Sequence, residues 1–224
     1  MIGEVPSSHD IDRAVELLVR GEVLALPTDT VPGMLKAMLS PTAPRRLNEL
    51  KGRPSSQPVA MLAPYGGEVH RGLAPLAYRA RLGRYFPGPL TAVVRRELLV
   101  ELSGLESTLV PYRTVGVRVV ASYWLSELIR RLGGGVWATS ANPTGEKPSL
   151  DNLPSGVVVM RASYQGLGVA SMVVDLTDPA APKVLRPFDH REGVGLVSPE
   201  APLVRARQKL IYPGLFELAS PARS

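Results

Sequence analysis

Lys51 and Arg53 stand two residues apart in KGRPSSQP, and Ser55, Ser56 and Gln57 follow at once. Two cations with that many neutral hydrogen-bonding groups suit an anion with several oxygens, a phosphate chain above all. Three more polar clusters fall at the ends of apolar runs or inside them. Thr28, Asp29 and Thr30 close the stretch LALPTDTVPG. Thr114 precedes, and Arg118 interrupts, the apolar run VGVRVV. ATSANPTGEKPS (138–149) supplies Ser140, Asn142 and Ser149, and a fifth, weaker pair is Ser171 with Arg186. Arg118 is the most telling, because a charge inside an apolar strand is costly unless a carboxylate or phosphate meets it. The inventory has several cations, many neutral donors, Asp29 as a nearby acid and no histidine base. That set suits binding a polyphosphate and moving a phosphoryl or adenylyl group by positioning and charge neutralisation. Each cluster also has a plainer reading. Lys-x-Arg at a helix end complements the helix dipole, and Ser-Ala-Asn-Pro or Pro-Thr-Asp-Thr is an ordinary turn. The two readings part on whether the clusters meet at one edge of a sheet.

Composition narrows the chemistry. The chain has 224 residues and no cysteine, which excludes disulfides, thiolate metal sites and a cysteine nucleophile. His9, His70 and His190 are scattered, with no metal-ligand spacing such as HExxH. No protein-held metal is expected, and the absence of GxxxxGK[ST] argues against a P-loop. A hydrophobic share of 45% supports a sizeable core, and no apolar run is long enough for a membrane span. The N-terminus has no signal-peptide pattern, so a cytoplasmic protein is expected. The net charge of +6 suits an anionic partner, nucleotide or RNA.

The elements that must position these residues read as follows. Helical spacing predicts a helix over 10–20, capped by Asp10 or Ser8. Others are predicted over 41–52 (Thr42 or Ser40 as cap, Gly52 as stop), 76–86 and 122–133. Apolar runs predict strands at 22–26, 58–63, 90–96, 115–120, 135–140, 156–160, 171–176 and 183–187. Interleaved strands and helices favour one α/β domain with a mixed sheet. Residues 1–190 are read as the domain and 191–224 as a flexible C-terminal tail, with 203–212 forming one last helix or strand. On a helix Lys51 and Arg53 would splay by about 200° at 3.6 residues per turn. For both heads to face one anion, the helix must end near Leu50 or Lys51, with Pro54 keeping Arg53 out of the helical region.

Seven stretches in order carry a resemblance: PTDTVPG, KGRPSSQPVAML, FPGPLTAVV, TVGVRVV, ATSANPTG, GVASMVVDL and VLRP. Over about residues 10–190 the chain resembles the YrdC-like family of threonylcarbamoyl-AMP synthases, of the type without a second, C-terminal domain. The resemblance implies an α+β fold in which helices flank a twisted mixed sheet with a concave basic cleft. It implies a nucleotidyltransferase that forms threonylcarbamoyl-AMP and pyrophosphate from L-threonine, bicarbonate and ATP, with Mg²⁺ accompanying ATP. The product would feed tRNA threonylcarbamoyladenosine formation by a downstream transferase machinery, and tRNA or double-stranded RNA is an implied partner. By motif position, Thr30, Arg118, Ala138 and Ser171 resemble the threonine site, with Arg118 on the carboxylate. Lys51, Arg53, Gln57, Thr114, Ser140, Asn142, Ser149 and Arg186 resemble ATP contacts, and Lys51 and Arg53 are the expected catalytic cations.

The chain departs from the family at Pro32, where an aromatic residue is usual. It departs also at Ala170 and Met172, which replace a carboxylate and a hydroxyl, at Leu62 (a histidine in some members) and in LRPF for LRPG. Pro32 and Met172 keep open a relative of the same fold with another acceptor, forming a carbamoyl-AMP-type product, and the basic balance with the family's concave basic surface keeps open a non-enzymatic RNA-binding protein. The second reading lacks the aromatic stacking platform of most single-strand binders, since 5% of the chain is aromatic.

Overall fold

The computed structural model describes residues 6–39, 41–162 and 166–187, with the Arg84 side chain left out. The tail 191–224, the expected element at 203–212, His190 and the cap candidate Ser40 lie outside the described residues.

Five helices are described: α1 (Ser8–Val19), α2 (Ala43–Leu50), α3 (Glu68–Arg79), α4 (Arg96–Ser103) and α5 (Tyr123–Arg131). Nine strands are described: β1 (Val23–Leu26), β2 (Gly33–Ala37), β3 (Ala60–Ala63), β4 (Leu90–Arg95), β5 (Thr114–Val119), β6 (Val136–Ser140), β7 (Val157–Val159), β8 (Met172–Asp175) and β9 (Lys183–Arg186). They form one mixed sheet in the order β7-β1-β2-β6-β3-β5-β4-β8-β9. The pairs β1–β7, β3–β5 and β4–β8 are parallel and the rest antiparallel.

Most expected elements appear at their expected places, and four details differ. The cap of α1 is Ser7, whose hydroxyl accepts from Asp10 N while the Asp10 carboxylate accepts from Ser7 N. Asp10 is thus the third helical residue of a capping box. The helix expected at 76–86 runs instead over α3, with Pro75 inside it. Proline there forfeits one backbone bond, but burial of Val69, Leu73 and Ala77 along one face holds the helix. Two elements were not expected. β2 hides behind the turn-like Pro32 and Gly33, and α4 begins at Arg96 with no turn residue after β4.

The sheet's two faces are covered unequally. Strand alternation sends Val23, Ala25, Met34, Met61, Ala63, Ala92, Val94, Val115, Val117, Trp137 and Met172 into one core, closed by α2, α3 and α4. The opposite face is closed by α1 and α5 over Leu24, Leu26, Leu35, Ala37, Leu62, Val136 and Ala138, with half-buried Val158 beside them. Those residues belong to β1, β2, β3, β6 and β7. Beyond them the same face carries Ala60, Gly116, Val93 and Val173, each half-buried, together with buried Thr91. A Cβ added to Gly116 would stand 3.0 Å from Thr91 Cγ2 and 3.9 Å from Ala60 Cβ, which places the three side by side. The uncovered half is therefore a trough across β3, β5, β4 and β8, floored by small side chains.

Candidate functional site

The loop from Thr28 to Pro32 joins β1 to β2 at one end of the trough. Thr28 Oγ1 donates to Val31 O at 2.7 Å and accepts from Thr30 N at 3.2 Å, and its oxygen lies 3.2 Å from Thr30 Oγ1. Threonine hydroxyls thus replace the backbone bonds a tight loop lacks. Asp29 turns inward. Its Oδ1 accepts from Arg118 Nη1 and its Oδ2 from Ala121 N at 2.9 Å, with both side chains almost fully enclosed, 6% exposed for Arg118 and 2% for Asp29. The charge inside the apolar strand β5 has its carboxylate partner, and that partner is a residue of the threonine-rich loop.

A second segment braces this loop from outside. Leu167 N donates to Asp29 O at 3.1 Å and Gly168 N to Thr30 O at 2.8 Å. Gly166 is pressed so closely that a Cβ would fall 2.2 Å from Thr28 O. The same segment leads into Ser171, whose Oγ lies 2.8 Å from Thr91 Oγ1 on the trough floor. Arg186 spans back from β9, donating through Nε and Nη2 to Ser171 O at 3.0 and 2.7 Å.

At the other wall, the helix α2 ends at Leu50, and Gly52 adopts a left-handed φ of 62° just past the Lys51 cap. The loop that follows is fastened by buried Asn48, whose Nδ2 donates to Gln57 O at 2.7 Å, an oxygen that also accepts from Tyr112 OH at 3.0 Å. Lys51 and Arg53 separate here. The ammonium of Lys51 is buried against the turn after β6, reaching Ser140 O and Oγ at 2.9 and 3.1 Å and Asn142 O and Oδ1 at 2.8 and 2.6 Å. Arg53 is half-buried and donates through Nε to Thr144 Oγ1 at 3.2 Å, while Thr144 donates to Lys51 O at 2.8 Å. Both residues border the turn after β6: the Lys51 ammonium on Ser140 and Asn142, the Arg53 guanidinium on Thr144. Burial, with the Arg53 charge second, pushes the Lys51 pKa down to about 8.

The remaining expected residues are distributed around this frame. Ser140 lies opposite Gly33 in the β2–β6 register, and Ala141 N donates to Pro32 O at 2.8 Å, so the two loops abut. Asn142 is oriented by donating Nδ2 to Glu146 O, and Ser149 N donates to Ala141 O at 2.8 Å. The Ser149 hydroxyl caps its own turn with Asp151. Ala138 sits between Leu35 and Ala60 in the sheet, where the helix-covered half meets the trough. Thr114 and Gln57 are exposed. Met172 is buried in the core behind the sheet, so its departure from the family pattern lies on the face away from the trough. Sequence reasoning missed the roles of Asp29, Thr91, Thr144 and Gly166; of these only Asp29 carried a signal, as the lone acid near so many cations.

The threonine-rich loop, the turn after β6 that receives Lys51 and Arg53, and the sheet face carrying Ala60, Gly116 and Thr91 make up the candidate site. Comparison with known proteins places the chain. The Sua5_yciO_yrdC family model, described as telomere recombination, matches residues 16–187. Threonylcarbamoyl-AMP synthase of Mus musculus is 31% identical over 187 residues, covering 78% of this chain and 65% of its own length. The Bacillus subtilis protein of the same name is 32% identical over 193 residues, covering 79% of this chain and 53% of its own. This chain thus spans about half to two thirds of those relatives. Among solved structures, P. abyssi Sua5 complexed with L-threonine superposes with a TM-score of 0.62 at 26% identity, covering 83% of this chain and 56% of that one.

Proposed function

This chain belongs to the Sua5/YciO/YrdC family, and on that premise we propose that it is an L-threonylcarbamoyladenylate synthase, a nucleotidyltransferase acting on L-threonine, bicarbonate and ATP. The observation that carries the reading is Arg118: a buried arginine in mid-sheet, held beside the Thr28–Thr30 loop at the rim of the trough. A guanidinium presents paired donors that match a carboxylate, and threonine is the ligand in the related P. abyssi structure.

In this reading the threonine carboxylate meets Arg118, with Thr30, Ala138 and Ser171 around the rest of the amino acid. The amine takes up carbon dioxide from bicarbonate as a carbamate, releasing water. A carbamate oxygen then attacks the α-phosphorus, the bond to the bridging oxygen breaks, and pyrophosphate leaves in line. Arg53 and Arg186 neutralise the leaving charge, while Lys51 acts mainly by holding Ser140 and Asn142 in place. Gln57, Thr114 and Ser149 are assigned to the nucleotide's polar edges, with Gly116 under the nucleotide. Mg²⁺ accompanying ATP would supply charge neutralisation on the phosphates; among the described residues no cluster of acids or histidines would hold it, and Asp29 is committed to Arg118 and Ala121. The product suits a tRNA-modifying transferase, and the basic balance of the chain suits a tRNA or double-stranded RNA partner in the cytoplasm. No helix among the described residues is long and apolar enough to cross a membrane.

Pyrophosphate release tests the reading. It should require L-threonine and bicarbonate together. Release that persists without threonine but needs another amine points to the relative with a different acceptor. No release with any acceptor, alongside RNA binding, points to the non-enzymatic reading.

A further inference from the structure

Asp29 is a buried carboxylate that the proposed chemistry does not consume. Its two oxygens are divided: Oδ1 takes Arg118 Nη1 and Oδ2 takes Ala121 N at 2.9 Å. Its own carbonyl accepts from Leu167 N. One residue therefore fastens the Thr28–Thr30 loop to Arg118 near the end of β5, to Ala121 just beyond that strand and to the segment before Ser171. The division of the oxygens has a chemical consequence. A carboxylate free to use both oxygens grips arginine along a whole edge of the guanidinium. Here the Ala121 amide occupies the second oxygen, so Asp29 meets arginine through one amino group. The Nε–Nη2 edge is a separate pair of donors, matched to a second carboxylate.

We infer that Asp29 is a positioning residue for substrate: it holds Arg118 by one amino group so that the other edge of the guanidinium receives the threonine carboxylate. This rests on the synthase reading of the site. Fixing the arginine in advance removes the freedom its long side chain would otherwise lose on binding. The opposite possibility is physical too. Asp29 is an anion beside the same cation, so a mere competitor would weaken substrate binding, and its removal would strengthen it.

The experiment measures L-threonine affinity calorimetrically, and pyrophosphate release with separate KM values for threonine and ATP, on the full chain. Asp29→Asn should weaken threonine binding by about tenfold to a hundredfold, the cost typical of a misplaced positioning group. The ATP KM should stay within about twofold, because a positioning effect is local to one substrate. Asp29→Glu, which keeps the charge on a longer stem, should recover part of the threonine affinity and keeps the test open if the asparagine variant does not fold. With Arg118→Lys already present, Asp29→Asn should add little, since both act through one contact. Unchanged or tighter threonine binding in folded Asp29→Asn overturns the inference, as do multiplicative effects of the two substitutions. A purely structural role predicts a lower melting temperature with threonine and ATP constants intact, and that also overturns it. Unmodified protein that binds threonine yet releases no pyrophosphate counts against the synthase reading alone and leaves the Asp29 comparison standing.

Discussion

The ammonium of Lys51 lies 2.6 Å from Asn142 Oδ1 and 2.8 Å from Asn142 O, 91 residues away along the chain. It is a tie between the loop after α2 and the turn after β6. Arg53, its neighbour but one, meets that turn through the Thr144 hydroxyl.

The two cations should therefore fail differently. Lys51→Met strips the donor from several buried oxygens, and each acceptor left unsatisfied costs about 1–3 kcal/mol. Its melting temperature should fall by several degrees, and turnover should fall with it. Arg53→Ala should melt almost normally yet release pyrophosphate about tenfold to a hundredfold more slowly, as expected for loss of a charge-assisted contact of about 1.5–3 kcal/mol. Thermal melts beside turnover assays decide this. A destabilised Arg53→Ala with normal turnover would return Arg53 to the role of a helix-end charge.

Lys51 also sets a pH dependence. Burial first, and the Arg53 charge second, bring its pKa from 10.5 to about 8 in the folded protein. Between those values the unfolded chain binds more protons than the folded one, so this group's contribution to stability rises with pH across that window. It is complete above 10.5 and is lost as pH falls through about 8. Function runs the other way, because the ammonium is the form that holds Ser140 and Asn142 by donation. Turnover should decline as pH rises through about 8. An anionic ligand favours the charged form, so ATP binding near that pH should take up protons. Calorimetry in buffers of different ionisation enthalpy reads this directly, and proton release on binding would contradict it.

Gly166→Ala tests the brace over the threonine-rich loop. The new Cβ would meet Thr28 O at 2.2 Å and Thr30 O at 2.6 Å, and backbone oxygens cannot swing aside as a side-chain tip can. Overpacking of this kind costs about 1–3 kcal/mol. Both the melting temperature and threonine affinity should drop. A variant with both unchanged would show that the segment does not bear on the loop.

Much of this was readable from residue types. Arg118 stood out because a charge in VGVRVV needs a partner, and the end of α2 followed from Pro54 and Gly52. Asp29 carried a signal as the lone nearby acid, but its pairing with Arg118 was not readable, since the two stand 89 positions apart in the chain. The protein partners of Lys51 were hidden for the same reason: Lys-x-Arg suggests two cations on one anion, and only tertiary contact brings the first to Ser140 and Asn142. Local propensity was also a poor guide where packing overrode it, as with Pro75 inside α3 and with β2, which starts on Gly33 yet pairs on both edges.

Gly116→Val tests the floor of the trough. Gly116 faces the uncovered side between Ala60 and Thr91, where a branched side chain would rise into the space assigned to the nucleotide. Folding should survive, while ATP affinity falls at least about tenfold, the scale of a steric change of this size in a pocket. Normal ATP affinity in a folded variant would move the nucleotide elsewhere.

The most direct measurement of the central claim follows the carbon. Incubation of the chain with ATP, L-threonine, Mg²⁺ and ¹³C-bicarbonate should yield threonylcarbamoyl-AMP carrying the label, identified by mass spectrometry, with pyrophosphate in equal amount. Loss of the product when threonine is omitted, and a strong reduction in Arg53→Ala, complete the expected pattern. Unlabelled AMP with no threonine-bearing adduct, under conditions where the protein is folded and binds ATP, would contradict the account.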